Sequence, residues 1–154
     1  MPMQAALLAL ALGAAPAPPA RYMQWNARAH VVHLTLLAGL GSANNGFNFD
    51  GYGCGQMLVR VPLGWRVVVD CENCGTMRHS CAVVHGPLET EPAFAGAATP
   101  QPVMGLSPGA KATFSFAAGR TGTYRIACLV PGHEQARMYD VLDVVHGTPS
   151  ITAR

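Results

Sequence analysis

Charge is scarce in this sequence of 154 residues. Asp, Glu, Lys and Arg together make up 12% of it, about half the usual quarter of a soluble domain, and the formal net charge is +2. That balance excludes a nucleic-acid binder working through a basic stripe, so no nucleic-acid partner is expected. Long apolar runs are also missing. None reaches the roughly 18 residues that a membrane-spanning helix needs, so no transmembrane span is expected. No internal repeat is present, and no segment carries a sustained helical period. What is abundant is apolar surface and turn-forming residues. Half of the chain is hydrophobic, which excludes a disordered segment. Seventeen glycines and twelve prolines exceed the average for this length. The length itself is a prior for one domain. Cysteine is present in an odd number, five, which asks for a chemical explanation.

The first twenty residues differ from the rest. An apolar stretch from Ala5 to Ala15 is followed by the small residues Ala15-Pro16-Ala17, the pattern of an export signal with a cleavage site after position 17 or 20. It carries no Lys or Arg ahead of the apolar stretch. Residues 1–20 are therefore read as a signal peptide or N-terminal tail, and 21–154 as the domain. Export places that domain in the periplasm, at the cell surface or outside the cell.

The body of the chain alternates short β-leaning segments with turns. The strand candidates are residues 31–37, 56–62, 65–71, 79–85, 111–117, 123–129 and 139–146, rich in Val and other β-branched residues. Asn44-Asn45-Gly46, Pro62-Leu63-Gly64, Gly119–Gly122 and Pro131-Gly132 punctuate them. Residues 86–109 hold five prolines and read as loop with room for one short helix. Seven or eight short strands at close spacing predict an all-β Greek-key sandwich.

The segment that carries chemistry runs from Cys128 to Met138. A thiol, an imidazole (His133) and a thioether stand at positions i, i+5 and i+10, across the end of a strand and a Pro-Gly turn. Such a loop can fold its donors back around one point. Thiolate and thioether are soft ligands and imidazole serves both copper oxidation states, so the set suits copper, and a trigonal His₂Cys site with a long axial Met is an electron-transfer arrangement. A second histidine must come from elsewhere. His79 is the best placed, at the start of a strand directly after a turn. His85 lies roughly 20 Å further along an extended strand, and His30, His33 and His146 have no soft ligand nearby in sequence.

These residues resemble the cupredoxins, the small blue copper proteins, and within them the sulfocyanin and rusticyanin branch. The terminal motif Gly122-Thr123-Tyr124 through Cys128, four residues, His133, four residues and Met138 carries the resemblance. So do Phe47-Asn48-Phe49-Asp50-Gly51-Tyr52, Val61-Pro62-Leu63-Gly64-Trp65 and His79-Ser80 upstream. It covers about residues 30–146. It implies a cupredoxin-like sandwich holding one type 1 copper ion, with ligands His79, Cys128, His133 and axial Met138. It also implies a one-electron carrier rather than an enzyme. The expected partners are redox proteins docking weakly near His133 on an apolar patch of Leu129, Val130 and Pro131, and the chain is expected to be a monomer. Ser80 stands where many members have Asn, and Arg78 where proline is common; Arg78 and Arg137 would bring positive charge near the site.

Two other readings compete. One is copper handling on the same fold, as a binder rather than a carrier. The other is a zinc or dithiol site at Cys71-Glu72-Asn73-Cys74, which lacks the second ligand pair and the βαβ context those sites need. For an exported chain, a disulfide among Cys54, Cys71, Cys74 and Cys81 is expected. Four cysteines allow three pairings. Cys71 and Cys81 flank one hairpin-like turn and share an inward parity with Val67, Val69 and Val83, which favours that pair.

Overall fold

A computed structural model describes residues 18–154. The export-signal reading falls mainly on residues 1–17, which lie outside the described residues. Nine strands are described: β1 (Met23–Asn26), β2 (Val31–Ala38), β3 (Met57–Pro62), β4 (Arg66–Asn73), β5 (Ala82–Val84), β6 (Lys111–Ala117), β7 (Gly122–Ala127), β8 (Tyr139–Val145) and β9 (Ser150–Ala153). They form a four-stranded sheet in the order β1-β2-β4-β6 and a five-stranded sheet in the order β5-β7-β8-β3-β9.

Residue alternation explains which face each strand buries. In β4 the inward set is Val67, Val69 and Cys71, with half-buried Val68 and exposed Asp70 between them and exposed Arg66 ahead, the period of two expected of a half-buried strand. β2 repeats it with Val32, Leu34 and Leu36. The facing sheet contributes Met57, Val59, Val61, Ile126, Leu142 and Val144, and Phe49, Phe114 and Phe116 fill the same core. β2 pairs with β4 and β3 with β8 in parallel, while the other strand pairs are antiparallel.

The all-β expectation holds, with differences at the edges. β1 and β9 were not expected, because MQWN and SITA bury too little to show an alternating pattern. The segment expected as a strand from 79 shortens to β5. His79 makes only an isolated bridge to Leu106 before the strand begins. Residues 86–109 form turns and isolated bridges and no helix.

Cys71 and Cys81 are joined by a disulfide, with Cα atoms 6.2 Å apart. The expected pair is therefore correct, but its geometry is not that of a hairpin. Cys71 lies on β4 in one sheet, and Cys81 directly precedes β5 in the other. The bond crosses the sandwich. Both positions point inward, so the parity holds although the strands belong to different sheets.

Two carboxyls are fully buried. One oxygen of Asp50 accepts the Leu37 N–H at 2.8 Å, and one oxygen of Asp140 accepts the Met57 N–H at 2.9 Å. Burial raises the Asp50 carboxyl to about 7 and the Asp140 carboxyl to about 8.

Breaking the disulfide by Cys71→Ala with Cys81→Ala is expected to cost about 3 kcal/mol, the loop-closure value for a short loop, read as a lower denaturation midpoint. Asp50 has the opposite sign to an ordinary surface carboxylate. Its folded pKa lies above the unfolded one, so its contribution is present in acid and is lost as pH rises from about 4 through about 7. Asp50→Asn is expected to flatten that part of the stability curve. Equal slopes in the two proteins between pH 4 and 8 would count against a neutral buried acid.

Candidate metal centre

Cys128 follows the last residue of β7, and Met138 directly precedes β8. The chain between them is closed on itself. The His133 N–H donates to the Val130 carbonyl at 3.1 Å, the Met138 N–H to the His133 carbonyl at 3.0 Å, and the Cys128 N–H to the Met138 carbonyl at 3.3 Å. The 43–54 segment holds the loop from outside: the Asn44 side-chain amide donates to the Ala136 carbonyl at 2.9 Å, and the Cys54 N–H to the Arg137 carbonyl at 2.9 Å. Two adjacent, antiparallel strands thus fix both ends of one ligand-bearing loop.

His79 comes from the opposite side. A reciprocal backbone pair with Leu106, at 3.3 and 2.7 Å, sets its main chain. Its ring is held between Gly39 and Gly75. A Cβ at Gly39 would stand 2.8 Å from Nε2, and one at Gly75 2.9 Å from it. Only bare backbone leaves room for the imidazole here. Nε2 is buried and has no hydrogen-bond partner, so the ring presents its Nδ1 edge to the loop.

The donors converge. Cys128 Sγ lies 3.4 Å from His133 Nδ1 and 4.0 Å from His79 Nδ1, and the two Nδ1 atoms are 3.2 Å apart. One donor atom from each of the three residues falls within 4.8 Å of the others, and all three residues are buried. Met138 is fully buried in the same core cluster. Ser80 ties the two ligand segments. Its N–H approaches Cys128 Sγ at 3.3 Å, and its hydroxyl accepts the Leu129 N–H at 2.9 Å. Ser80 therefore joins the His79 and Cys128 segments through both its backbone and its hydroxyl.

Burial sets the protonation. It raises the Cys128 thiol above its ordinary value, against hydrogen bonds from Ser80 and Val130 that favour the thiolate. Burial, and then the neighbouring His133, lowers His79 to about 4; burial lowers His133 as well. Burial therefore favours the neutral form of both imidazoles. One sulfur and two nitrogens at this spacing, with a buried thioether in the same core, fit a copper ion.

Other sequence-level expectations separate here. His30, His33, His85 and His146 are exposed and away from the cluster. The zinc or dithiol reading at Cys71–Cys74 is overturned, because Cys71 is committed to Cys81, while Cys74 and Cys54 are exposed free thiols. Leu129 is buried against Ala82, Val84 and Ala127, so it does not belong to a surface patch; Pro131 and Gly132 are exposed and Val130 partly so. Arg78 donates to the Gly105 carbonyl at 2.9 Å, and Arg137 lies exposed in the loop with φ of 69°. Sequence reading missed Phe47, whose ring meets His133 edge-on at 5.0 Å. It also missed the ion pair of Arg125 with Glu134 at 2.6 Å, and the two glycines around His79. No spacing in sequence announces the Phe47 and glycine contacts, which join distant segments, and the Arg125–Glu134 pair depends on how the ligand loop turns back on β7.

A Greek-key sandwich with a buried His-Cys-His cluster at one end defines the class of the cupredoxins, and solved structures share the fold. Reduced auracyanin from Roseiflexus castenholzii matches with a TM-score of 0.54 and 22% identity, over 73% of this chain and 96% of that one. Auracyanin A from Chloroflexus aurantiacus matches with 0.51 and 19%, over 75% and 99%. The blue copper oxidase of Nitrosomonas europaea matches with 0.55 and 25%, over 77% of this chain and 39% of that larger one. Residues 18–152 match the sulfocyanin (SoxE) domain, and the chain belongs to that family. The sulfocyanin of Sulfolobus acidocaldarius is 28% identical over 123 residues, which span 72% of this chain and 62% of that protein.

Gly75→Ala tests the seat of His79. The added methyl would meet the ring at 2.9 to 3.0 Å and the Gly39 Cα at 3.3 Å. It is expected to destabilise the fold by about 1–3 kcal/mol, as overpacking does, and to displace His79. The displacement would be read as a change in the histidine ring resonances of the metal-free chain.

Proposed function

We propose that this chain is an exported one-electron carrier that holds a single copper ion through His79, Cys128 and His133, with Met138 as the weak axial ligand. The observation that carries the reading is the convergence of two Nδ1 atoms and one thiol sulfur in a buried pocket. When bound, copper supplies a one-electron couple. The protein's part is to keep its donors in nearly one geometry for both oxidation states. Strand ends hold Cys128 and Met138, the Leu106 bridge and two glycines hold His79, and a disulfide begins two residues after it. Rigid donors keep reorganisation small, and the apolar shell with the axial thioether tunes the potential.

His133 is the ligand with the greatest contact with solvent, at 8% exposure against 1% or less for the other three. It is the natural port for electrons. Val130, Pro131 and Gly132 beside it, with exposed Leu88 and Val103, line a shallow cavity of about 210 Å³. An apolar rim of this kind suits the small, weak interfaces of redox encounters, with the chain acting as a monomer. The cross-sandwich disulfide supports an oxidising compartment, in keeping with the apolar N-terminal stretch. Among the described residues no helix is long and apolar enough to cross a membrane.

The test is copper loading of the full chain. Cupric copper is expected to give an intense thiolate-to-copper absorption band and reversible one-electron voltammetry, with one ion per chain. Cys128→Ser is expected to abolish the band while leaving the fold. A protein that binds only cuprous copper, without colour or reversible redox chemistry, would be a copper-handling binder and would defeat the carrier reading.

A further inference from the structure

We propose that Arg125 is a positioning residue for the metal centre, a clamp that holds the residues following His133 and Met138 and cancels a buried negative charge beside the site. The inference rests on the copper reading above.

Arg125 lies on β7, three residues before Cys128, between β5 and β8 in the sheet. Its guanidinium makes two contacts. One nitrogen stands 2.6 Å from an oxygen of Glu134, the residue after His133. The central carbon of the same group lies over the ring of Tyr139, the residue after Met138, 3.8 Å from its centre. A planar, delocalised cation can bond at its edge and stack on its face at once, which an ammonium cannot do equally well. A single side chain thus grips the loop immediately beyond two of the four proposed ligands, from the strand that leads to a third.

The pairing is built rather than incidental. The Glu134 side chain is 6% exposed, and that of Arg125 is 24% exposed. The second oxygen of Glu134 accepts the Leu88 N–H at 2.9 Å. Leu88 holds a left-handed φ of 61°, a conformation that a bulky residue keeps only when its surroundings impose it. Tyr139 is fixed at its far end, where its hydroxyl lies 3.8 Å from Cys54 Sγ.

The electrostatic consequence has a definite sign. A carboxylate next to His133 favours the more positive, oxidised ion. The guanidinium opposes it, and together they leave the centre in a nearly neutral shell. Removing either charge exposes the other at low dielectric.

The experiment compares Glu134→Gln, Arg125→Gln and the double variant, with Arg125→Lys as the conservative control. In the copper-loaded chain, Glu134→Gln is expected to raise the reduction potential and Arg125→Gln to lower it. The double variant should return toward the unmodified value, and Arg125→Lys, which keeps the charge, should stay near it. In the metal-free chain, amide hydrogen exchange across residues 130–138 is expected to speed up most in Arg125→Gln and the double variant, which lose both the ion pair and the stack, and less in Glu134→Gln, which keeps the stack on Tyr139, and in Arg125→Lys, which keeps a cation opposite Glu134. Single variants that shift the potential in the same direction, or unaltered exchange in the metal-free chain, would overturn the clamp. If the unmodified chain takes up no copper, the carrier reading fails, and the exchange measurement still decides whether Arg125 holds the loop.

Discussion

Two imidazole nitrogens and a thiol sulfur stand within 4.8 Å of one another in a buried pocket, and the architecture around them is shaped by that convergence. Among the described residues no acidic side chain joins the cluster. Two nitrogens 3.2 Å apart and a neighbouring sulfur stand at hydrogen-bond distance of one another. They stay together because their backbones are fixed independently: His79 through Leu106, Cys128 through its bond to Met138, and His133 through a turn closed on Val130. Burial keeps the imidazoles neutral and the thiol protonated in the metal-free chain. A soft cation therefore finds lone pairs ready at the nitrogens and displaces a proton from the sulfur.

Around the site, backbone bareness does as much as side-chain chemistry. Gly39 and Gly75 make room for the His79 ring where any methyl would intrude. Ser80 joins the two ligand segments through its hydroxyl and its N–H. The disulfide then ties the two sheets together two residues beyond His79. The histidine that arrives from the far side of the sequence is thereby held from both sheets.

The ligand loop was legible because it is contiguous. Cys128, His133 and Met138 keep fixed spacing on one short loop, and the landmarks around them carry the family resemblance. The strands with strong alternation, such as β2 and β4, were legible for the same local reason. What escaped depends mostly on register between distant segments. The edge of Phe47 on His133 and the glycine seat arise only once the strands are aligned, and the Arg125–Glu134 pair, though nine residues apart, arises only from the way the ligand loop folds back on β7. The disulfide shows both sides of this. Inward parity selected Cys71 and Cys81 correctly, yet sequence proximity suggested one hairpin where the structure has two sheets. The edge strands β1 and β9 escaped because they are short and bury too little to show an alternating pattern.

The parallel pairings carry a consequence for how the molecule comes into being. Leu58 on β3 pairs with Val141 on β8, so the centre of one sheet cannot close until most of the chain is present. His79 and Cys128 likewise meet across a long stretch of sequence. Folds dominated by such distant pairings collapse slowly, because chain entropy is lost before the contacts that repay it are made. His79 can therefore meet the Cys128 loop only where the two sheets stand in register, so an intact cluster reports correct pairing across the whole domain.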